Sequence, residues 1–129
     1  MVFFPQSGGI DTDGLSRIGK AEFDEQFYKL MQVNVLANIH LYNIFMPQIL
    51  KSRVKKVVVL SSGHADLDVV AEYDIDVAPL YTASKAAMNM ITGKFSAQYK
   101  KDGVLFLSIC PGMVDVGRIA EGRINLPRN

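Results

Sequence analysis

The chain has 129 residues, of which 49% are hydrophobic and 21% charged, with a formal net charge of +1. That length suffices for one domain with a core, and the balanced charge leaves no electrostatic footprint for nucleic acid or an anionic membrane surface. A single cysteine, Cys110, excludes an internal disulfide framework, and the two histidines, His40 and His64, lack metal-ligand spacing, so no metal centre is expected.

Met1 to Phe4 is apolar but too short for a signal-peptide core, and it lacks a basic leader. No run approaches the ~18–20 apolar residues of a membrane span. The expectation is a soluble, cytoplasmic protein with no membrane partner.

Val2-Phe3-Phe4 predicts a short strand, stopped by Pro5 and followed by a turn at Gln6-Ser7-Gly8-Gly9. Residues 10–19 read as a polar loop. From about Ala21 the period becomes helical: Phe23, Phe27, Leu30, Met31, Asn34, Leu41 and Phe45 recur on one face. They predict a long helix from Ala21 to Phe45, bent or stopped at Pro47. Asn34 is the odd member of that stripe. A polar amide on an apolar face is costly unless its hydrogen bonds are met, so it is either a satisfied structural amide or a functional group.

Val57-Val58-Val59-Leu60 is β-branched and does not alternate, as expected for a strand covered on both faces of a parallel sheet. Ser61-Ser62-Gly63 ends it. Residues 63–79 show no clear period and carry five acids, whose spacing does not fit a calcium loop. They read as a solvated loop. A second helix is predicted from Leu80 to Lys100, with Ala83, Ala87, Ile91, Phe95 and neighbouring Met90 as its apolar face. Gly103 follows as its stop. Val104 to Cys110 is another buried-type strand, which would make Cys110 a buried, inert thiol. Pro111-Gly112 ends the strand, and Met113 to Asn129 is increasingly polar.

The order helix, strand, loop, helix, strand predicts part of an α/β doubly wound parallel sheet. Ligands bind such sheets at the strand carboxyl ends, where Ser62 and Pro111-Gly112 both lie. Tyr81-Thr82-Ala83-Ser84-Lys85 places a phenol and an ammonium four apart on one helix face. An unperturbed phenol titrates near ~10, too high for easy proton exchange near neutrality. A neighbouring cation favours the ionised form. An acyl hydrolase using Ser62 with His64 is a poor reading, because two residues apart on one segment is bad geometry for a nucleophile and its base and no nucleophile elbow is present.

Four segments in this order resemble the short-chain dehydrogenase/reductase family: Val33-Asn34-Val35, Val57 to Ser62, Tyr81 to Ala87, and Pro111-Gly112-Met113-Val114. The resemblance spans roughly Glu22 to Val116. It implies an NAD(P)-dependent oxidoreductase that interconverts a carbonyl and an alcohol on a small molecule. Tyr81 would be the acid or base, and Lys85 would lower its pKa and hold the nicotinamide ribose. Ser62 would bond the substrate oxygen. Asn34 would hold a water linking Lys85 to solvent. Pro111, Gly112 and Val114 would line the nicotinamide pocket. Ser62 is preferred to Ser61 because the family usually places its serine second in such a pair.

The departures from the family pattern shape the expectation. No phosphate-cradling glycine fingerprint precedes these segments. The separation of Ser62 from Tyr81 implies an inserted loop, and Val116 stands where a hydroxyl residue is common. Residues 1–129 therefore read as a single partial domain, the catalytic half of a Rossmann-like sheet lacking the N-terminal nucleotide-binding half. NADP is mildly preferred over NAD as cofactor. A halved sheet should expose an apolar edge and an uncovered face, so the chain reads as truncated and marginal alone, with self-association through its two long helices. The alternative reading is a non-catalytic fragment acting as an interaction or dimerisation partner.

Overall fold

The computed structural model describes residues 20–112. The predicted strand at residues 2–4, the turn and loop before Lys20, and the segment after Gly112, including Val114 and Val116, lie outside the described residues.

The long helix forms as α1 (Lys20–Met31), a π-helical turn (Gln32–Leu36) and α2 (Ala37–Lys51). The π turn changes the packing that the sequence period predicts. Its Ala37 N–H bonds to the Gln32 carbonyl, five residues back. One extra residue in a turn advances every later side chain by about a hundred degrees. The buried positions are accordingly Asn34, Val35, Tyr42 and Met46, whereas the predicted Leu41 and Phe45 are exposed. Pro47 does not stop the helix, which runs four residues further. Pro47 and Asn43, whose carbonyl Pro47 leaves unpaired, are both exposed, so water can take that carbonyl.

β1 (Lys56–Leu60) and β2 (Leu105–Ile109) form a two-stranded parallel sheet, with Val57 opposite Phe106 and Leu60 opposite Ile109. A parallel pair needs a long crossover. Here it contains a 3₁₀ turn (Gly63–Ala65), α3 (Leu67–Glu72) and α4 (Pro79–Gln98). The predicted solvated loop thus contains a short helix. Asp66 starts it by accepting from the N–H groups of Asp68 and Val69 at 2.9 and 3.3 Å, the ordinary cap of a helix N-terminus. The second helix ends close to prediction, in a 3₁₀ turn at Lys100–Asp102 and a left-handed Gly103.

The sheet buries one face, not both. Val59 and Phe106 point into the core, but Val58 and Leu107 opposite it remain 56% and 42% exposed. That second face is apolar and exposed at Val58, Leu105, Leu107 and Ile109. Cys110, predicted to be buried, is exposed.

The core joins Val35, Tyr42 and Met46 of the long helix to Met88 of α4 and to Val59, Val104 and Phe106 at the sheet. Edge-on ring contacts of Tyr42 with Phe95 and Phe106, at 5.0 and 5.6 Å between centroids, tie these layers together. The Tyr42 hydroxyl meets Thr92 Oγ1 at 2.9 Å. Among the described residues no helix is long and apolar enough to cross a membrane.

Candidate active site

The site forms where the N-terminal half of α4 passes the carboxyl end of β1 and the π turn. Three features place Tyr81. Ala78 adopts a left-handed conformation (φ 55°, ψ 48°) that turns the chain into α4, and Pro79 supplies the fixed φ of the first helical turn. Thr82 then closes that turn, its N–H and its hydroxyl each reaching the Ala78 carbonyl at 3.0 Å. Tyr81 and Lys85 follow one turn apart.

Lys85 bridges helix and sheet. Its Nζ donates to the Leu60 carbonyl at 3.0 Å and lies 5.6 Å from the centroid of the Tyr81 ring. Leu60 is the last residue of β1, so Lys85 stands beside Ser61 and Ser62. The strand continues one bond past its end, the Ser61 N–H donating to the Ile109 carbonyl at 2.7 Å.

The two serines face different surroundings. Ser61 points to the helix-covered face, is buried, and its Oγ has no hydrogen-bond partner. Ser62 is half-buried, and its Oγ accepts from the His64 N–H at 3.3 Å. The resemblance favours Ser62, and its hydroxyl proton is not used in that bond.

Asn34 is buried in the π turn, a local structure frequent at functional sites. Its Nδ2 donates to Ser84 Oγ at 2.8 Å, and its backbone carbonyl accepts from Asn38 Nδ2 at 2.8 Å. Ser84 Oγ donates in turn to the Tyr81 carbonyl at 2.7 Å. A polar chain therefore runs from Asn38 through Asn34 and Ser84 to the backbone of Tyr81. Ser84 is not legible from apolar periodicity. The signal is the i, i+4 line Leu80, Ser84, Met88 and Thr92, which is the buried face of α4 and carries two small polar residues.

The electrostatics are set by burial. It raises the Tyr81 phenol above its usual range, with Cys110 adding to the rise, and it lowers the Lys85 ammonium. The direction at Tyr81 is opposite to the lowering expected from a neighbouring cation. The Lys85 ammonium is directed at the Leu60 carbonyl and the ring face, and desolvation dominates. An added Cβ on Gly63 would meet Cys110 Sγ at 3.8 Å, so the two strand ends adjoin. Pro111 and Gly112 continue from there, both exposed, with Gly112 left-handed at φ 72°.

Asn34 and Lys85 also line a groove of about 850 Å³ between α2 and β1, otherwise mostly apolar, with Leu41, Phe45 and Val58 among its walls. Asn34, Tyr81, Lys85 and the end of β1 are thus brought together. Val114 lies outside the described residues.

A sequence model of the family described as short chain dehydrogenase matches residues 7–124. The short chain dehydrogenase virK of Hypocrea virens is 53% identical over 116 residues, covering 90% of this chain and 43% of that protein. The short-chain dehydrogenase/reductase iacC of Pestalotiopsis fici is 52% identical over 96 residues, covering 74% of this chain and 35% of that protein. The chain thus spans less than half the length of either relative. Among solved structures, a short-chain dehydrogenase from Streptomyces avermitilis superposes with a TM-score of 0.64 at 19% identity, over 82% of this chain and 36% of that one. At that identity the likeness shows the fold.

Proposed function

The chain belongs to the short chain dehydrogenase family, and on that premise we propose that it carries the acid–base half of an NAD(P)-dependent oxidoreductase that interconverts a carbonyl and an alcohol. The observation that carries this reading is the reach of Lys85 from α4 to the Leu60 carbonyl, beneath the Tyr81 ring. It links the Tyr81 ring and the Lys85 ammonium to the strand end that leads into Ser61-Ser62.

In this reading Tyr81 exchanges a proton with the substrate oxygen, and Ser62 donates its free hydroxyl proton to the same oxygen. A phenol held above its usual range is protonated near neutrality, the state that reduction requires, but it is a weaker acid than a free phenol, so release of its proton depends on positive charge beside it. Lys85 supplies a fixed positive charge beside the phenol. Asn34 holds the π turn against α4 and anchors a path from Lys85 to solvent. Small-molecule carbonyls or alcohols are the substrate class, and the cytoplasm is the compartment.

The residues present fit the nicotinamide-ribose end of a dinucleotide. Lys85 Nζ has three N–H donors, and Leu60 takes one of them. The buried, unpartnered Ser61 Oγ adds an acceptor or donor at the same strand end. Pro111 and Gly112 extend the wall. The bound cofactor supplies or accepts the hydride, and NADP(H) is the first form to test.

The bare sheet face, with Val58 and Leu107 exposed, favours a second reading: the chain acts as a docking or dimerisation partner without turnover. Titration of the purified chain with NADPH and NADH, followed by calorimetry, separates the two. Saturable binding, then turnover of a carbonyl panel, supports the oxidoreductase. A folded chain that binds neither cofactor overturns it in favour of the second reading.

A further inference from the structure

Ser84 is completely buried and lies between Tyr81 and Lys85 in the sequence. Its hydroxyl is used twice, donating to the Tyr81 carbonyl at 2.7 Å and accepting from Asn34 Nδ2 at 2.8 Å. The first bond is ordinary. A helical serine commonly bonds back to the preceding turn. The second crosses fifty residues of sequence, from the π turn to α4. It also has no substitute at that atom, because removing the hydroxyl withdraws the acceptor from a buried amide donor.

The other end of Asn34 is fixed as well. Its carbonyl accepts from Asn38 Nδ2, and Asn38 Nδ2 lies 3.7 Å from Met88 Sδ on α4. Asn38 and Ser84 therefore hold the widened turn against α4 by its carbonyl and its side chain. A π turn is an irregular, locally unfavoured structure, and here side chains packed on α4 hold it.

We infer that Ser84 is a positioning residue: through Asn34 it locks the π turn to the turn of α4 that presents Tyr81 and Lys85. The inference rests on Tyr81 and Lys85 being the reacting pair. It assigns Ser84 no contact with substrate. A role confined to packing would be met equally well by alanine, which is as small and as easily buried.

The test is the ring-carbon NMR titration of Tyr81, assigned by its loss in Tyr81→Phe, in the wild-type chain, Ser84→Ala, Asn34→Ala and the double variant. The side-chain amide resonances of Asn34 are followed in the samples that retain it. Cys110, whose charge acts on Tyr81 in this fold, and the neighbouring Lys85 are unchanged in all four. In Ser84→Ala the Asn34 amide pair should shift, and the Tyr81 midpoint should move by about half a pH unit or more. Asn34→Ala should move it likewise, and the double variant no further than either single one.

A Tyr81 titration that superimposes on wild type in Ser84→Ala, with only a lower melting temperature, overturns the inference. Effects that simply add in the double variant overturn it too. If Ser84→Ala does not fold, Asn34→Ala breaks the same bond from the other side and decides the matter by the same midpoint. Full turnover by Tyr81→Phe would sink the assignment of Tyr81, while the titrations would still decide whether Ser84 and Asn34 act together.

Discussion

The Nζ of Lys85 donates to the Leu60 carbonyl at 3.0 Å while lying 5.6 Å from the centre of the Tyr81 ring. One ammonium is thus shared between the end of a strand and the face of a phenol. Replacing it separates binding from folding. Lys85→Met deprives the Leu60 carbonyl of this donor, at about 1 kcal/mol, but also removes a partly desolvated charge. Net stability should change by less than about 1 kcal/mol. Cofactor affinity should fall at least about tenfold, because a charge-assisted bond is worth about 1.5–3 kcal/mol. Calorimetric titration beside a thermal melt checks both. Unchanged affinity would show that Lys85 belongs to the fold alone.

Tyr81→Phe should lower turnover by at least about a hundredfold, the usual range for losing an acid–base group. The pH profile carries a sign. The phenol is raised above 10.0 by burial and then by Cys110. Reduction needs the protonated phenol, so its rate should be flat through neutrality and fall only on the alkaline side. A rate that already falls between about pH 7 and 8 would mean that the phenol ionises early. In that case the ammonium would outweigh burial once the cofactor is bound.

Tyr42 provides a second alkaline test, independent of activity. Its phenol is raised above 10.0 chiefly by burial, the Thr92 hydrogen bond partly offsetting the rise. Between 10.0 and its folded value the native state keeps a proton that the unfolded chain has released. The corresponding stability is complete below about pH 10 and is lost as pH rises through the folded value. Tyr81 acts in the same direction. Lys85 acts oppositely, because its pKa, lowered from 10.5, makes stability rise with pH towards that value. Tyr42→Phe leaves Thr92 Oγ1, itself buried, without its partner. It should cost about 1–2 kcal/mol at neutral pH and flatten the decline above about pH 10. Denaturant melts at neutral and alkaline pH measure both.

The sequence carries the strands, the second helix and the parallel crossover because their signals are local. Unalternating Val57 to Leu60, Gly103 after Lys100-Lys101 and Pro111-Gly112 each mark an element or its end. The phase of the long helix beyond Asn34 is not legible in the same way. A one-residue insertion at the π turn exchanges Leu41 and Phe45 for Tyr42 and Met46 as the buried pair, and apolar spacing alone matches either set. Asn34 stands out as a polar residue on an apolar stripe, but its partner does not. Ser84 is small, polar and near the motif, and only tertiary packing shows that its hydroxyl faces Asn34. The short helix α3 is hidden because Asp66 looks like one of five solvated acids, whereas its carboxylate is a cap. Exposure of Val58 and Leu107 follows from which residues are present to cover them, which a strand's own composition does not encode.

The turn that delivers Tyr81 stores strain that can be measured. Ala78 sits in the left-handed region at φ 55° without a glycine's freedom, at a cost of about 1–2 kcal/mol. Ala78→Gly removes that cost but adds about 0.4–1 kcal/mol of unfolded-state entropy. The variant should therefore match the wild type or exceed it by up to about 1.6 kcal/mol. Ala78→Val brings a β-branched side chain to the same φ and should lose more than about 1 kcal/mol. The Ala78 carbonyl receives both bonds from Thr82, so any shift of this residue moves the first turn of α4 and Tyr81 with it. If the strain is kept because it aims Tyr81, Ala78→Gly should gain or hold stability yet lose turnover. A glycine variant that keeps full turnover would show that the left-handed turn serves only to start the helix.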